Sequence, residues 1–251
     1  MKLGDAIRLS IGTLTAVPVP APRGINRGVA GAAMVFGPVA AVPLAMVAGL
    51  VVAGGSAVGL PALAVAAVAL GLVALGSRGL HLDGLADTAD GLGASYDRTR
   101  ALDVMRRGDS GPTGVATLVF VLLVQAGALA GAIAAGHGIA AAVIGVLVGR
   151  CTLAMSCARG VPSARPEGLG ATVAGSVPRL VAFAEGVVAA GLSALAPGLP
   201  WWRGPAAVVA GYLVAAVVLA RCVRRLGGIT GDVLGAGVEV GAAAALLVLA
   251  A

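Results

Sequence analysis

Charge is what this chain lacks most. Acidic and basic side chains make up only 11% of its 251 residues, against about a quarter in soluble domains. A deficit of that size excludes a water-soluble globular domain. With 59% apolar residues and several runs that reach or approach the roughly 20 residues needed to cross a bilayer, an integral membrane protein is left. Aromatic residues are scarce too, at 3%, and no basic run is interleaved with them. The net charge of +6 therefore does not mark a nucleic-acid binder; it sets topology and meets anionic headgroups or phosphates. Cys151, Cys157 and Cys222 are odd in number, lie in apolar stretches and form no CxxC pair. That excludes a disulfide framework or a zinc site and leaves small core residues. No internal repeat of fixed period is evident, whereas many transporters carry repeated halves.

What is present is an all-α pattern, a polytopic bundle of about six or seven transmembrane helices in one integral domain over 1–251. Candidate spans run over 29–53, 60–79, 114–135, 139–158, 180–196, 206–226 and 233–251. The last is the weakest, because Glu239 interrupts it. Residues 1–28 carry Leu3, Ile7, Leu9 and Leu14 among Lys2, Asp5 and Arg8, then the proline-rich stretch 18–22. This apolar part is too short to span, so an interfacial helix ending at the prolines is expected. With the N-terminus in the cytoplasm, Arg8, Arg23, Arg27, Arg98, Arg100, Arg106, Arg107, Arg159, Arg165, Arg179, Arg221, Arg224 and Arg225 all fall on the cytoplasmic side, as the positive-inside rule requires. The expected location is the cytoplasmic (inner) membrane, with any site in these loops facing the cytoplasm.

Against this background one stretch stands apart: His81–Gly93, HLDGLADTADGLG. Asp83, Asp87 and Asp90 stand at i, i+4 and i+7, within about 60° of one another on a helix. Nothing basic inside the segment offsets their repulsion, and Leu82, Leu85, Ala86, Ala89 and Leu92 make it amphipathic and packed. Such a face makes sense around a divalent cation, and Mg²⁺ is commonly held by one or two carboxylates plus substrate phosphates. Gly84 and Gly91 each follow an Asp and would allow close approach of a phosphate. His81, two residues off the acidic face, is either a ligand or base or a supporting group. Further along the loop 80–113, Arg106 and Arg107 suit bidentate phosphate binding or topology anchoring equally.

A second acidic segment is Gly227–Glu239, GGITGDVLGAGVE. Gly227, Gly231 and Gly235 repeat every four residues and give a bare helix face. Asp232 opens the segment and Glu239 follows seven residues later on the same face. A carboxylate inside an apolar span is a functional candidate, so both are candidate metal or substrate ligands. Arg150, inside the fourth candidate span, has one of these acids as a candidate partner. In the loop after that span, Glu167–Gly168–Leu169–Gly170 reads as a turn.

Taken together, these residues resemble the adenosylcobinamide-GDP ribazoletransferases, or cobalamin synthases. The matches are Leu14–Pro20 with its Pro-Val-Pro, HLDGLADTADG at 81–91, Met-Arg and Gly-x-x-Gly within 105–114, Glu-Gly-Leu-Gly at 167–170, and Gly-Gly-x-Thr-Gly-Asp-x-Leu-Gly-Ala with its later Glu at 227–239. The chain departs from the pattern after Met105–Arg106, where Arg107–Gly108 stand and the acid follows only as Asp109. The resemblance implies a Mg²⁺-using membrane transferase. It would join the cobinamide phosphate of adenosylcobinamide-GDP to a ribose hydroxyl of α-ribazole or its 5′-phosphate, releasing GMP. Asp83, Asp87, Asp90 and Asp232 would then be metal ligands, with Asp232 or Glu239 a base. His81, Arg106, Arg107, Arg159, Gly84, Gly91 and Gly231 would be substrate- or phosphate-binding positions. Partners would be the two substrates and the bilayer, without nucleic acid and with room for a homo-oligomer. Two other classes share some features: a CDP-alcohol phosphotransferase-like enzyme, whose motif has an Ala-Arg and wider acid spacing absent here, and an ion-coupled transporter, which places its charges near the midplane.

Overall fold

The computed structural model describes residues 3–251; Lys2 of the expected N-terminal segment lies outside them. Among the described residues the secondary structure is helical, with two isolated parallel bridges and no sheet. A short helix, α1 (Leu3–Leu14), comes first. Asn26 then caps α2 (Arg27–Val35) by accepting from the Val29 amide at 2.9 Å. Phe36 breaks α2 from α3 (Gly37–Ala57), whose first turn holds Pro38, a ring pre-set for helix entry. Together the two make a first span of 31 residues. α4 (Ala62–Gly76) follows, and Arg78 and Gly79, both at positive φ, turn the chain through 90° into α5 (Leu80–Ala94). Ser77 eases that exit by donating to the Val73 and Ala74 carbonyls.

Asp97 caps α6 (Arg98–Arg107), and the remaining helices are α7 (Pro112–Ala134), α8 (Gly138–Ser156), α9 (Gly168–Val173), α10 (Arg179–Ser193), α11 (Arg203–Leu226) and α12 (Gly231–Ala250). Five helices are long and apolar enough to cross a membrane: the α2–α3 pair, α7, α8, α11 and α12; the α4–α5 pair adds a sixth if counted as one broken span. The expected span over 180–196 is shortened. α10 has 15 residues and stops at Ser193, about 22 Å long and short of a hydrocarbon core of about 30 Å. Apolar composition runs on through Ala194–Leu199, but turns replace the helix there. α5, with 15 residues and three carboxylates, does not itself cross.

The segment expected to be weakest is the centre of the bundle. α12 packs against α11, α8, α5 and α7, and most of its residues are buried. Its Gly- and Ala-rich surface makes this possible, since small residues let backbones meet without a hydrophobic drive between helices in lipid. Two cores result. One lies at membrane depth around Leu44, Val65, Leu129, Ile144 and Leu246. The other, around Leu14, Met34, Met105, Leu153, Ile229 and Leu234, supports the end of the bundle that carries the acids. Cys151, Cys157 and Cys222 are free and buried, Cys151 at membrane depth and Cys157 and Cys222 in that second core.

Candidate functional site

The two acidic segments meet. α5 lies on the first turns of α12 through facing glycines: a Cβ added at Gly84 would come 2.7 Å from the Asp232 carbonyl oxygen. One added at Gly235 would come 3.1 Å from the His81 Cα. This close approach, about 150 residues apart in sequence, places Asp83 and Asp232 on the wall of one cavity of about 290 Å³. Asp87 stands one turn along α5 from Asp83, and all three belong to one electrostatic group. Thr230 caps α12, accepting from the Val233 amide at 3.3 Å while donating to Asp232 Oδ2 at 3.1 Å. The wall also includes His81, Arg165, the Glu167–Gly170 stretch, the start of α12 and an apolar side of Leu14, Met34 and Leu153.

The Asp87 carboxyl is pushed up to about 6, first by burial and then by the charges of Asp83, Asp232 and Asp90, with Arg165 opposing. Among the described residues, Arg165 is the one cation lining the cavity. A cation placed among these carboxylates would relieve their mutual repulsion. Among the described residues no three His, Cys, Asp or Glu side chains converge into a ready-made metal cage. An open set of hard carboxylate oxygens beside a cavity nevertheless fits Mg²⁺, which keeps waters and takes substrate phosphates as further ligands.

The family comparison settles what kind of protein carries this arrangement. Residues 6–250 match the model of a family described as cobalamin-5-phosphate synthase. The chain belongs to this family. Named adenosylcobinamide-GDP ribazoletransferases are similar over much or nearly all of it. One from a Nocardioides species is 47% identical over 98% of this chain and 99% of its own length. A second, from Frankia casuarinae, is 38% identical over 97% and 93%. A third, from Pseudomonas syringae pv. tomato, is 38% identical over 69% and 70%. No solved structure matches the chain.

Several positions expected in this synthase's site turn out to do other work. Asp90 points away from the cavity and accepts from the Gly111 amide at 2.7 Å and the Gly114 amide at 2.8 Å. Both of its oxygens are thus occupied in capping α7, where the helix dipole favours an anion. Gly111 and Gly114 leave the room for it, since a Cβ at either would strike the carboxylate. Gly84 serves helix contact, as above, and Gly91 does too: a Cβ there would collide with the Met105 side chain of α6. Neither is free to admit a phosphate. Gly231 does line the cavity, and a Cβ there would meet only Leu169, at 3.6 Å.

Among the cations expected to bind phosphate, Arg106 pairs with Glu167 at 3.3 Å on the surface, and Arg107 is exposed at the end of α6. Arg159 is exposed as well and does not line the cavity. The cavity's cation is instead Arg165, anchored by a 2.7 Å bond to the Leu102 carbonyl. Its only signal in sequence was proximity to Glu167. The segment carrying both is strapped to the link before α12 by the Ser163–Ile229 bridge, and Gly170 packs on the backbone of Ile229 and Thr230. The expected turn at 167–170 is therefore part of the wall.

Glu239 is not brought to the cavity. Seven residues beyond Asp232 on α12, it lies about 10 Å deeper and accepts from Gln125 Nε2 at 2.9 Å. Arg150 shares a small internal cavity with it, but no Arg150–carboxylate pair lies within 4.0 Å among the described residues. Arg150 instead turns one guanidinium nitrogen, Nη2, to within 3.4 Å of His81 Nδ1. His81 is buried, and its Nε2 has no hydrogen-bond partner among the described residues.

Proposed function

We propose that this chain transfers the adenosylcobinamide-phosphate group of adenosylcobinamide-GDP to a ribose hydroxyl of α-ribazole or its 5′-phosphate, releasing GMP. The observation that carries the reading is the meeting of Asp83 and Asp87 with Asp232 beside a cavity where Arg165 is the single lining cation among the described residues, in a chain of this family. In the transfer, the ribose oxygen forms a bond to the cobinamide phosphorus. The bond from that phosphorus to the bridging anhydride oxygen breaks, the oxygen leaving with GMP, and the hydroxyl proton passes to a base.

Phosphoryl chemistry asks mainly for positioning and charge neutralisation, and the residues present divide along those lines. Arg165 holds phosphate oxygens by its guanidinium fork. Asp83 and Asp232 are the residues that would hold Mg²⁺, with Asp87 completing the acidic face; the ion would neutralise charge on the diphosphate. Asp87, one turn along α5 from Asp83 and with its carboxyl raised to about 6, is the acceptor assigned to the hydroxyl proton. The Leu14, Met34, Leu153 and Leu169 side chains limit water on the remaining wall. We further infer that the protein sits in the cytoplasmic membrane with this cavity facing the cytoplasm, a reading supported by the arginines gathered at that end.

The test is turnover in liposomes with adenosylcobinamide-GDP and α-ribazole, with and without Mg²⁺, following GMP and the corrinoid product. Mg²⁺-dependent appearance of both is expected. Folded protein that releases no GMP from this pair, yet transfers phosphoalcohol groups from CDP-alcohols, would replace the assignment.

A further inference from the structure

Arg150 is a fully buried guanidinium within a membrane-spanning helix, and nothing described so far accounts for it. Removing such a group from water is expensive, and a charged residue at that depth is retained for function. Its partners are weak or missing. Nη1 is 3.4 Å from the Val146 carbonyl of its own helix, Nε has no partner among the described residues, and Glu239, bonded to Gln125, faces it across the small cavity without a hydrogen bond. Its side-chain hydrogen-bond neighbour among the described residues is His81 Nδ1, 3.4 Å from Nη2.

That contact has a direction. Arginine has five N–H donors and no acceptor, so the imidazole nitrogen facing it presents its lone pair. The proton of a neutral ring then resides on Nε2, since the bond made by one nitrogen decides the state of the other. Nδ1 and Nε2 diverge on the five-membered ring, so Nε2 faces away from the guanidinium. His81 lines the carboxylate cavity, whereas Arg150 lines the small one behind it, and the ring stands between them. A buried N–H with no acceptor is costly to leave unmade, and it fits a ligand that supplies one. On an acid-rich wall, a fixed donor is also what an anionic oxygen needs.

We propose that Arg150 is a positioning residue which, by donating to His81 Nδ1, fixes the imidazole as an Nε2–H donor to a phosphate oxygen in the carboxylate cavity. The phosphate part of this statement rests on the transfer reading above; the tautomer part does not.

Two measurements test it. The chain has only two histidines, so ¹⁵N-histidine labelling in nanodiscs, with His137→Gln to assign the signals, reads the His81 ring directly. A bare Nδ1 and protonated Nε2 are expected in the parent protein, mixed tautomers in Arg150→Met, and the parent pattern again in Arg150→Lys. A protonated Nδ1 in the parent, or an unchanged ring in Arg150→Met, overturns the proposal. Should Arg150→Met fail to fold, the parent and Arg150→Lys spectra still decide.

The second measurement is a double-mutant cycle on kcat. His81→Phe, which keeps a ring but has no donor, is expected to lower it about 100-fold, as loss of one fixed donor to a developing oxyanion does. Arg150→Met should then add less than about twofold in the His81→Phe background, because residues acting through one contact are not additive. Multiplying losses would overturn the coupling. A parent protein with the expected tautomer but no ribazole transfer would instead overturn the reaction, leaving Arg150 and His81 as described.

Discussion

At the scale of single residues, the acids of one motif divide into two kinds that sequence spacing alone does not separate. Asp87 sits among like charges, and Asp90 sits among backbone donors. Asp87→Asn removes a charge that the fold tolerates poorly, so turnover should fall by at least about 100-fold while the protein stays folded. The raised carboxyl gives the sign of the stability effect. A group whose pKa is higher folded than unfolded opposes folding in full above its folded pKa, and this opposition shrinks as the pH falls below about 6 and vanishes only below the unfolded value of 3.8. In metal-free protein the Asn variant should therefore melt above the parent at about pH 8, with the gap narrowing below about pH 6 and closing by about pH 4. Asp90→Asn should do the reverse, lowering thermal stability by about 1 kcal/mol or more through the lost cap of α7, with activity lost only in proportion to folded protein. Melting curves beside GMP-release rates separate the two. The arginines divide similarly. Arg165→Met should cost most of kcat/KM. Arg159→Ala lies outside the cavity and should leave kcat/KM within about twofold of the parent, since surface changes away from a site have small effects.

At the scale of elements, the decisive contact is the crossing of α5 and α12. Gly84 meets the Asp232 backbone, and Gly235 meets His81. Gly84→Ala forces a Cβ against backbone atoms that cannot rotate away, so overpacking of about 1–3 kcal/mol is expected, together with separation of Asp83 from Asp232 and loss of turnover. Gly127→Ala, on α7 with nothing within 4 Å, is the matched control and should be neutral or slightly stabilising. A Gly84→Ala enzyme with normal melting and normal rate would sink the view that this crossing builds the site. Both acidic segments were legible in sequence because charge interrupts an otherwise apolar chain there, and three acids at helical spacing announce a face. The glycines beside them were legible only as small residues. Whether a missing side chain admits a phosphate or another helix depends on a partner about 150 residues away, which no local pattern encodes. The same limit hid Arg165, whose neighbours come from α6 and α12. It also hid the early end of α10, where apolar composition continues but the helix does not.

At the scale of the whole molecule, the bundle has two chemically distinct ends. Asp232 opens α12 at one of them. At the other, His137, between α7 and α8, places its ring Nε2 2.7 Å from the Leu249 carbonyl at the helix's far end. The links at 95–97, 108–111, 157–178 and 227–230 join helices at the acidic end, and those at 58–61, 135–137 and 194–202 at the opposite one. Among the described residues, Arg203 is the only arginine at that opposite end, and Arg150 lies within the bundle. The charge asymmetry predicts a single orientation, and the buried cysteines make it measurable, since Cys151, Cys157 and Cys222 offer little surface to a thiol reagent. Ser110→Cys places a thiol on the exposed link before α7, and Pro200→Cys places one on the exposed link before α11. A membrane-impermeant maleimide should label Ser110→Cys only in inverted vesicles and Pro200→Cys only in right-side-out ones. The reverse pattern would put the carboxylate cavity outside the cell and would undo the proposed topology. Labelling of both from both sides would mean that the arginines do not set one orientation, and that their gathering at the acidic end serves the anionic substrate instead.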